Sequence, residues 1–244
     1  MYRDQGWLLR SIVWLLPVIV GACAGMPRDA SLPVDDPYEQ TNRSILASNQ
    51  AVLHVAAKVV RAVTPGPVHD RLHDLNSNLQ EPRIFANDIL QLRFAAAMHT
   101  AVRFATNSSI GIGGLVDIAS HAGLRQESGD FGQTLFVWGV AAGPYVVVPY
   151  LGPSTLRNAV GNVVDMVGDP LGWALSARYG LAPTIATTTL DATVRLDELK
   201  EAEDASIDFY AFIRSSYYQT RRAQLRESIG LPSVVDSPAT APPH

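Results

Sequence analysis

From Asp36 onward apolar residues recur three and four positions apart, and proline or glycine interrupts the recurrence. The first periodic stretch opens at Asp36-Pro37-Tyr38-Glu39. A cap acceptor, a proline at the first helical position and a Glu three after the cap predict a helix start there. Ile45, Leu46, Val52, Leu53, Ala56, Val59 and Val60 continue as an apolar stripe, opposite a polar face of Asn42, Arg43, Asn49 and Gln50. The pattern predicts a helix over 36–63, ended by Thr64-Pro65-Gly66-Pro67. A second helix is predicted over 67–78, then a break at 78–82. A third covers 82–91 with Ile84, Phe85, Ile89 and Leu90 apolar, and a fourth 93–106 with Phe94, Met98, Val102 and Phe104 apolar. Further helices are predicted over 154–164, 187–203 and 206–227, and a further segment starts at 169. In the last helix Phe209, Tyr210, Phe212, Ile213, Tyr217 and Tyr218 face one way. Arg221, Arg222 and Arg226 read as a solvated face. The fold class is mainly α with no extensive sheet.

Between residues 103 and 157 the pattern changes. Glycines at 111, 113, 114, 123, 129, 132, 139, 143 and 152 alternate with large apolar residues, and prolines follow at 144, 149 and 153. A solvent-exposed loop with such breakers is polar. This one is apolar, so it must be buried, paired or in contact with lipid. Asp117 reads as the cap of a brief helix. The runs 133–138 and 145–149 read as the two arms of a short apolar hairpin around Gly139-Val140-Ala141-Ala142-Gly143-Pro144. Pro149 and Pro153 confine it to an edge pair.

The N-terminal residues carry a different signal. Residues 12–20 are apolar apart from Pro17, too short a run for the ~20 residues of a spanning helix. Val20-Gly21-Ala22-Cys23 follows, an aliphatic residue and two small ones before the only cysteine of the chain. This is a lipobox pattern, in which the Cys23 thiol takes a diacylglycerol before cleavage. It predicts a lipoprotein signal peptide at 1–22, a lipidated tether at 23–35, a helical domain at 36–228 and a disordered tail at 229–244. Stable anchoring takes more than one acyl chain, which a lipoprotein cysteine carries. Ala24 follows the cysteine in place of the aspartate that retains lipoproteins at the inner membrane, which favours the outer membrane.

Composition narrows the functional classes. Hydrophobic residues make up 47% of the 244 and charged ones 17%, with net charge −4. A negative chain without a dense basic cluster does not suit nucleic acid. His69 and His73 stand four apart without a third ligand nearby and read as part of a solvated helix rather than a metal site. No G-x-S-x-G elbow, P-loop or dinucleotide fingerprint is present. The residues therefore predict neither an enzyme nor a cofactor. They leave an anchored set of amphipathic helices suited to lying in a membrane plane.

The chain resembles the MlaA (VacJ) outer-membrane lipoproteins over about 36–226. The resemblance is carried by Asp36-Pro37-Tyr38-Glu39 with Asn42-Arg43, Asn78-Leu79 with Glu81-Pro82, and Arg103-Phe104 with Asn107. It continues through Gly111-Ile112-Gly113-Gly114-Leu115-Val116-Asp117, Asp130-Phe131-Gly132-Gln133-Thr134-Leu135, Trp138-Gly139-Val140, Gly143-Pro144-Tyr145, Leu151-Gly152-Pro153-Ser154 and Leu156-Arg157. It implies a ring of amphipathic helices in the membrane plane, embedded from the periplasmic side and associated with a trimeric porin. An amphipathic channel would pass mislocalised phospholipid from the outer leaflet to a soluble periplasmic carrier. A family hairpin thought to control the channel maps onto Gly139, Val140, Ala141, Ala142, Gly143, Pro144 and Tyr145. The alternative is an adaptor lipoprotein that scaffolds porin or carrier without conducting lipid. Phe136 and Ala141 stand where the family commonly has glycine, which implies a stiffer hairpin. Asn158 replaces an aspartate, which implies the loss of a polar contact. Gly143→Val is expected to stiffen the hairpin further.

Overall fold

A computed structural model describes residues 36–63, 66–168 and 196–231. Cys23, the segment from 169 to 195 and the tail beyond 231 lie outside these residues. So do the signal peptide, the tether and the first part of the helix predicted over 187–203.

The described chain forms helices α1 (Glu39–Val63), α2 (Gly66–Leu90), α3 (Phe94–Ser109), α4 (Ile118–His121) and α5 (Phe131–Val137), then strands β1 (Tyr145–Val148) and β2 (Gly152–Thr155). Helices α6 (Leu156–Gly168), α7 (Leu196–Ala205) and α8 (Phe209–Ser228) follow. The mainly helical class holds, and the only sheet among the described residues is the antiparallel β1–β2 pair, in which Tyr145 faces Thr155 and Val148 faces Gly152.

Three predicted boundaries move. The predicted second and third helices are one helix, α2, with Pro82 inside it. Proline removes one N–H and was read as a boundary. The helix continues because its buried residues on both sides of Pro82, Asn78, Glu81, Ile84, Asn87 and Asp88, belong to one face, packed chiefly on α3. The predicted strand over 133–138 is helical: Asp130 accepts the Gln133 N–H at 2.8 Å, and the Gln133 side chain accepts the Asp130 N–H at 2.9 Å. That reciprocal cap starts α5 despite the β-prone Phe136 and Val137. Residues 139–144 are therefore not a hairpin turn but the link from α5 to β1. The hairpin itself lies one step later and turns through Pro149, Tyr150 and Leu151, with Ser154 and Thr155 in β2 rather than in a helix.

The predicted cap at Asp117 is present and accepts the Ser120 N–H at 3.0 Å. Asp36 does not act as a side-chain cap. Its carboxylate accepts from Asn42 Nδ2 at 2.8 Å, from Arg214 at 3.2 Å and from the Tyr210 hydroxyl.

Helices α5 and α6 meet at two glycines. A Cβ on Gly161 would lie 2.4 Å from the Gly132 nitrogen, so only glycine permits this approach. An apolar core of Leu46, Phe136, Val137, Ala142, Tyr145, Val147, Tyr210, Tyr218 and Leu225 sits where α1, α5, the hairpin and α8 converge.

Candidate functional site

The faces found by periodicity are real, but their sense is reversed over much of the chain. On α1 the residues Val52, Val55 and Val59 are exposed. Of the supposed polar face, Asn42 and Asn49 point inward, whereas Arg43 is exposed and Leu46 of the apolar face is in the core. Asn42 Nδ2 donates to the Tyr145 carbonyl at 3.2 Å, and Asn42 Oδ1 accepts the Val147 N–H at 2.8 Å. One heptad on, Asn49 Nδ2 donates to the Val148 carbonyl at 3.0 Å and Asn49 Oδ1 accepts the Tyr150 N–H at 2.9 Å. Two asparagine amides thus serve the open edge of β1 as a partner strand would. Phe94, Met98 and Val102 on α3 and Leu156, Val160, Val163 and Val167 on α6 form further exposed apolar stripes. No described helix is long and apolar enough to cross a membrane.

The polar groups are spent inside. Arg103 is fully buried and donates to Glu81 at 2.9 Å, to Ser120 Oγ and Asp117 at 3.1 Å, and to the Leu124 carbonyl. Asn107 donates to Asp117 at 2.9 Å and accepts the Ala119 N–H at 2.9 Å. Burial opposes the charge on Asp117, but hydrogen bonds from Ser120, Asn107 and Arg103 outweigh it and hold its pKa at about 2. A second group joins α2, α5 and α6. Gln91 donates to Thr134 Oγ1, which donates to Asn87 Oδ1, while Asn87 donates to Asp165, which also accepts the Phe131 N–H.

The third group corrects the reading of Arg221 as a solvated residue. Arg221 is 6% exposed and grips Asp130 in a two-point ion pair at 2.5 and 2.8 Å. Its Nη2 also donates to Asn158 Oδ1 at 2.9 Å, and Asn158 Nδ2 donates to the Tyr217 hydroxyl at 2.6 Å. The expected loss of a polar contact at Asn158 does not occur, because an amide oxygen serves Arg221 as an acceptor.

The segment singled out for gating runs across the start of α6. Gly139 and Gly143 have φ of 85° and 68°, where an L side chain is strained. Val140 and Ala141 are exposed, Ala142 is buried, and Tyr145 is fully buried against the rings of Tyr210, Tyr217 and Tyr218. The carbonyls of Val140, Ala142 and Pro144 accept from Arg157 Nη1 at 2.9 Å, the Arg157 N–H at 3.0 Å and the Leu156 N–H at 3.1 Å. The Arg157 guanidinium lies over the Phe136 ring, 5.2 Å from its centre. Burial, and then the like charge of Arg221, push the Arg157 pKa down to about 10. Three of the seven predicted gating residues, Val140, Ala142 and Pro144, are thus held by the start of α6. The supporting donors, Leu156 and Arg157, were missed as such, because backbone bonds between distant segments leave no local sequence signal.

Two depressions open nearby. One of about 250 Å³ lies over Asp130, Asn158, Tyr217, Arg221 and Gln224. Another of about 600 Å³ lies over Arg43, Gln50, Glu203, Asp208 and Tyr210. Among the described residues no cluster of three or more His, Cys, Asp or Glu could hold a metal ion.

The described residues form a helical protein with apolar stripes on its surface and many of its polar groups hydrogen-bonded inside. The family model of the MlaA lipoprotein matches residues 34–224, and the chain belongs to that family. It is 31% identical to the intermembrane phospholipid transport system lipoprotein MlaA of Escherichia coli (strain K12), over 75% of this chain and 76% of that one. It is 32% identical to the protein of the same name from Haemophilus influenzae, over 79% and 80%. An uncharacterized protein of Rickettsia typhi is 31% identical over 83% and 82%. A solved structure described under "Structural basis for maintenance of bacterial outer membrane lipid asymmetry" superposes with a TM-score of 0.67 at 28% identity, covering 78% of this chain and 99% of that one.

Proposed function

We propose that this chain is a phospholipid-transport lipoprotein that removes mislocalised phospholipid from the outer leaflet of the outer membrane. It passes the lipid through an amphipathic path to a soluble periplasmic carrier and so maintains lipid asymmetry. The observation that carries this reading is the reversal of polarity: apolar stripes on α1, α3 and α6 face outward over a buried polar network. Such stripes suit helices lying in the membrane plane at the acyl boundary. In that setting the molecule is a ring docked on a trimeric porin, and Cys23 carries the lipid anchor on the periplasmic side. The names of the relatives above support transport rather than catalysis. No chemical step and no cofactor is assigned to the chain, since a lipid moving down a packing gradient needs only a path whose polar groups solvate the headgroup.

The link from Gly139 to Tyr145 is the movable part of this path. At Gly143 a Cβ would lie 3.0 Å from Cβ of Leu156, at a φ of 68°. Gly143→Val therefore lifts the segment from α6, where the sequence alone suggested stiffening. Outer-leaflet phospholipid in a strain lacking the chain tests the function. It should rise, fall again on complementation with the wild-type chain, and stay high with Cys23→Ala. An unchanged level in the deletion strain would refute the proposal.

A further inference from the structure

Arg157 is 5% exposed, and its Nε and Nη2 are buried without a hydrogen-bond partner. Among the described residues no carboxylate lies within ion-pair distance of it, and the nearby carboxylate Asp130 is already held at two points by Arg221. A buried guanidinium with one hydrogen bond and a cationic neighbour is costly, and an anion would compensate it. Arg157 also stands in the first turn of α6, a 13-residue helix whose leading N–H groups are those of Leu156 and Arg157. Helix starts of this kind bind phosphate. Here those two N–H groups are taken by the Pro144 and Ala142 carbonyls, and Arg157 Nη1 by that of Val140.

We propose that the Leu156 and Arg157 donors form a phosphate site that the 139–144 segment closes by occupying it, so that a phospholipid headgroup opens the segment by competing for the same donors. The site takes a phosphodiester anion. The resting segment satisfies each donor with one neutral carbonyl, whereas a phosphate oxygen accepts bonds from the two backbone N–H groups roughly twice as strong and meets the guanidinium with an opposite charge. It would also reach the two unused guanidinium nitrogens. The proposal rests on the gating role given to this segment above. It adds the trigger and the residues that sense it.

The test uses the full chain in detergent micelles, with a nitroxide side chain in place of the exposed Ala141, introduced without recourse to cysteine. Phosphatidylglycerol should increase nitroxide mobility, and diacylglycerol, which has the chains without the phosphate, should not. Arg157→Gln should need about tenfold more phosphatidylglycerol for the same response, the loss expected for a hydrogen bond to a charged group. Arg157→Lys keeps the charge and should respond at an intermediate concentration. Leu156→Pro is tolerated at a first helical position but loses the N–H held by Pro144. It should mobilise the label without lipid, which keeps the test open if Arg157→Gln fails to fold. An equal response of Arg157→Gln and wild type, or an equal effect of diacylglycerol, would overturn the proposal. A full response to inorganic phosphate at matched concentration would overturn the assignment to a lipid headgroup. Broadening of the ³¹P resonance reads anion binding separately. Broadening that depends on Arg157, with a label that never moves, would refute the gate while leaving the phosphate site. Movement without such broadening would refute the site and leave the gate.

Discussion

Arg103 offers the sharpest test of the polar interior. It and Glu81 are both fully buried, 2.9 Å apart. The same guanidinium also reaches Asp117 and Ser120, so it ties α2, α3 and the start of α4 together. Arg103→Met removes every one of these bonds and leaves the Glu81 carboxyl in the interior without its cation. Breaking a buried pair in this way costs about 3–5 kcal/mol. Glu81→Gln is the informative contrast. An amide oxygen still accepts from Arg103, and Arg103 keeps Asp117, so the loss should be about 1–2 kcal/mol. Denaturant unfolding in mild-detergent micelles, followed by tryptophan fluorescence at pH 7, measures both. Because the pair is buried, the difference should persist at high salt. A loss for Arg103→Met no larger than that for Glu81→Gln, or one that added salt removes, would refute the view that Arg103 is the hub.

Gly161→Ala places a methyl 2.4 Å from the Gly132 nitrogen, so α5 and α6 must part; overpacking predicts a loss of about 1–3 kcal/mol, read by the same unfolding curves. Asn42→Ala strips the Tyr145 carbonyl and the Val147 N–H of their side-chain partner, which should cost about 1–3 kcal/mol and speed hydrogen exchange at Val147 first. Stability should also fall as pH rises from about 4 to 7. Burial, reinforced by Glu127, pushes Glu227 from its ordinary 4.5 up to about 7, and burial pushes Asp88 from 3.8 up to about 6, against the pull of Arg93. A carboxyl whose folded pKa is raised contributes stability below its ordinary pKa and loses it as pH rises through the raised value. Glu227→Gln should flatten the higher part of that slope and leave the part due to Asp88; an unchanged pH profile of the melting temperature would refute the raised Glu227 pKa.

Much of the helical frame was legible because periodicity survives any reversal of polarity. Helices α1, α3 and α8 and the cap at Asp117 lie where the apolar spacing and local polar residues place them. Periodicity identifies two faces without saying which one is buried, so Asn42 and Asn49 were read as solvent-facing when they complete the edge of β1. Arg221 was misread for a related reason: its partner Asp130 lies 91 residues away and no local spacing announces it. The signal for α5 was present in Asp130 and Gln133, a cap acceptor and its reciprocal partner three residues on. The β-prone residues that follow obscured it. Pro82 was given too much weight as a boundary, since one lost N–H does not end a helix whose buried face continues past it.

The polar residues that carry the family resemblance now have a common physical account. Asp36, Asn42, Glu81, Arg103, Asn107, Asp117, Asp130, Gln133 and Arg157 do not gather at one reactive point. All of them bond to other polar groups across element boundaries or cap a helix start, the Arg157 guanidinium through Nη1 alone. A water-soluble helical protein can hold its elements together by burying apolar side chains. A molecule whose apolar stripes face lipid gains little from that, because lipid tails are as apolar as a protein core. Hydrogen bonds and ion pairs between elements must then fix the geometry, and they do so most firmly where every partner is satisfied. Arg103 meets that condition with all three guanidinium nitrogens, and Arg221 comes close, with only its Nε unpartnered. Arg157 does not: two of its nitrogens have no partner, beside the segment whose carbonyls hold the third. Of the buried guanidinium groups Arg157 keeps the most unpaired donors, so an incoming anion gains most there, and it lies against the segment proposed above to move.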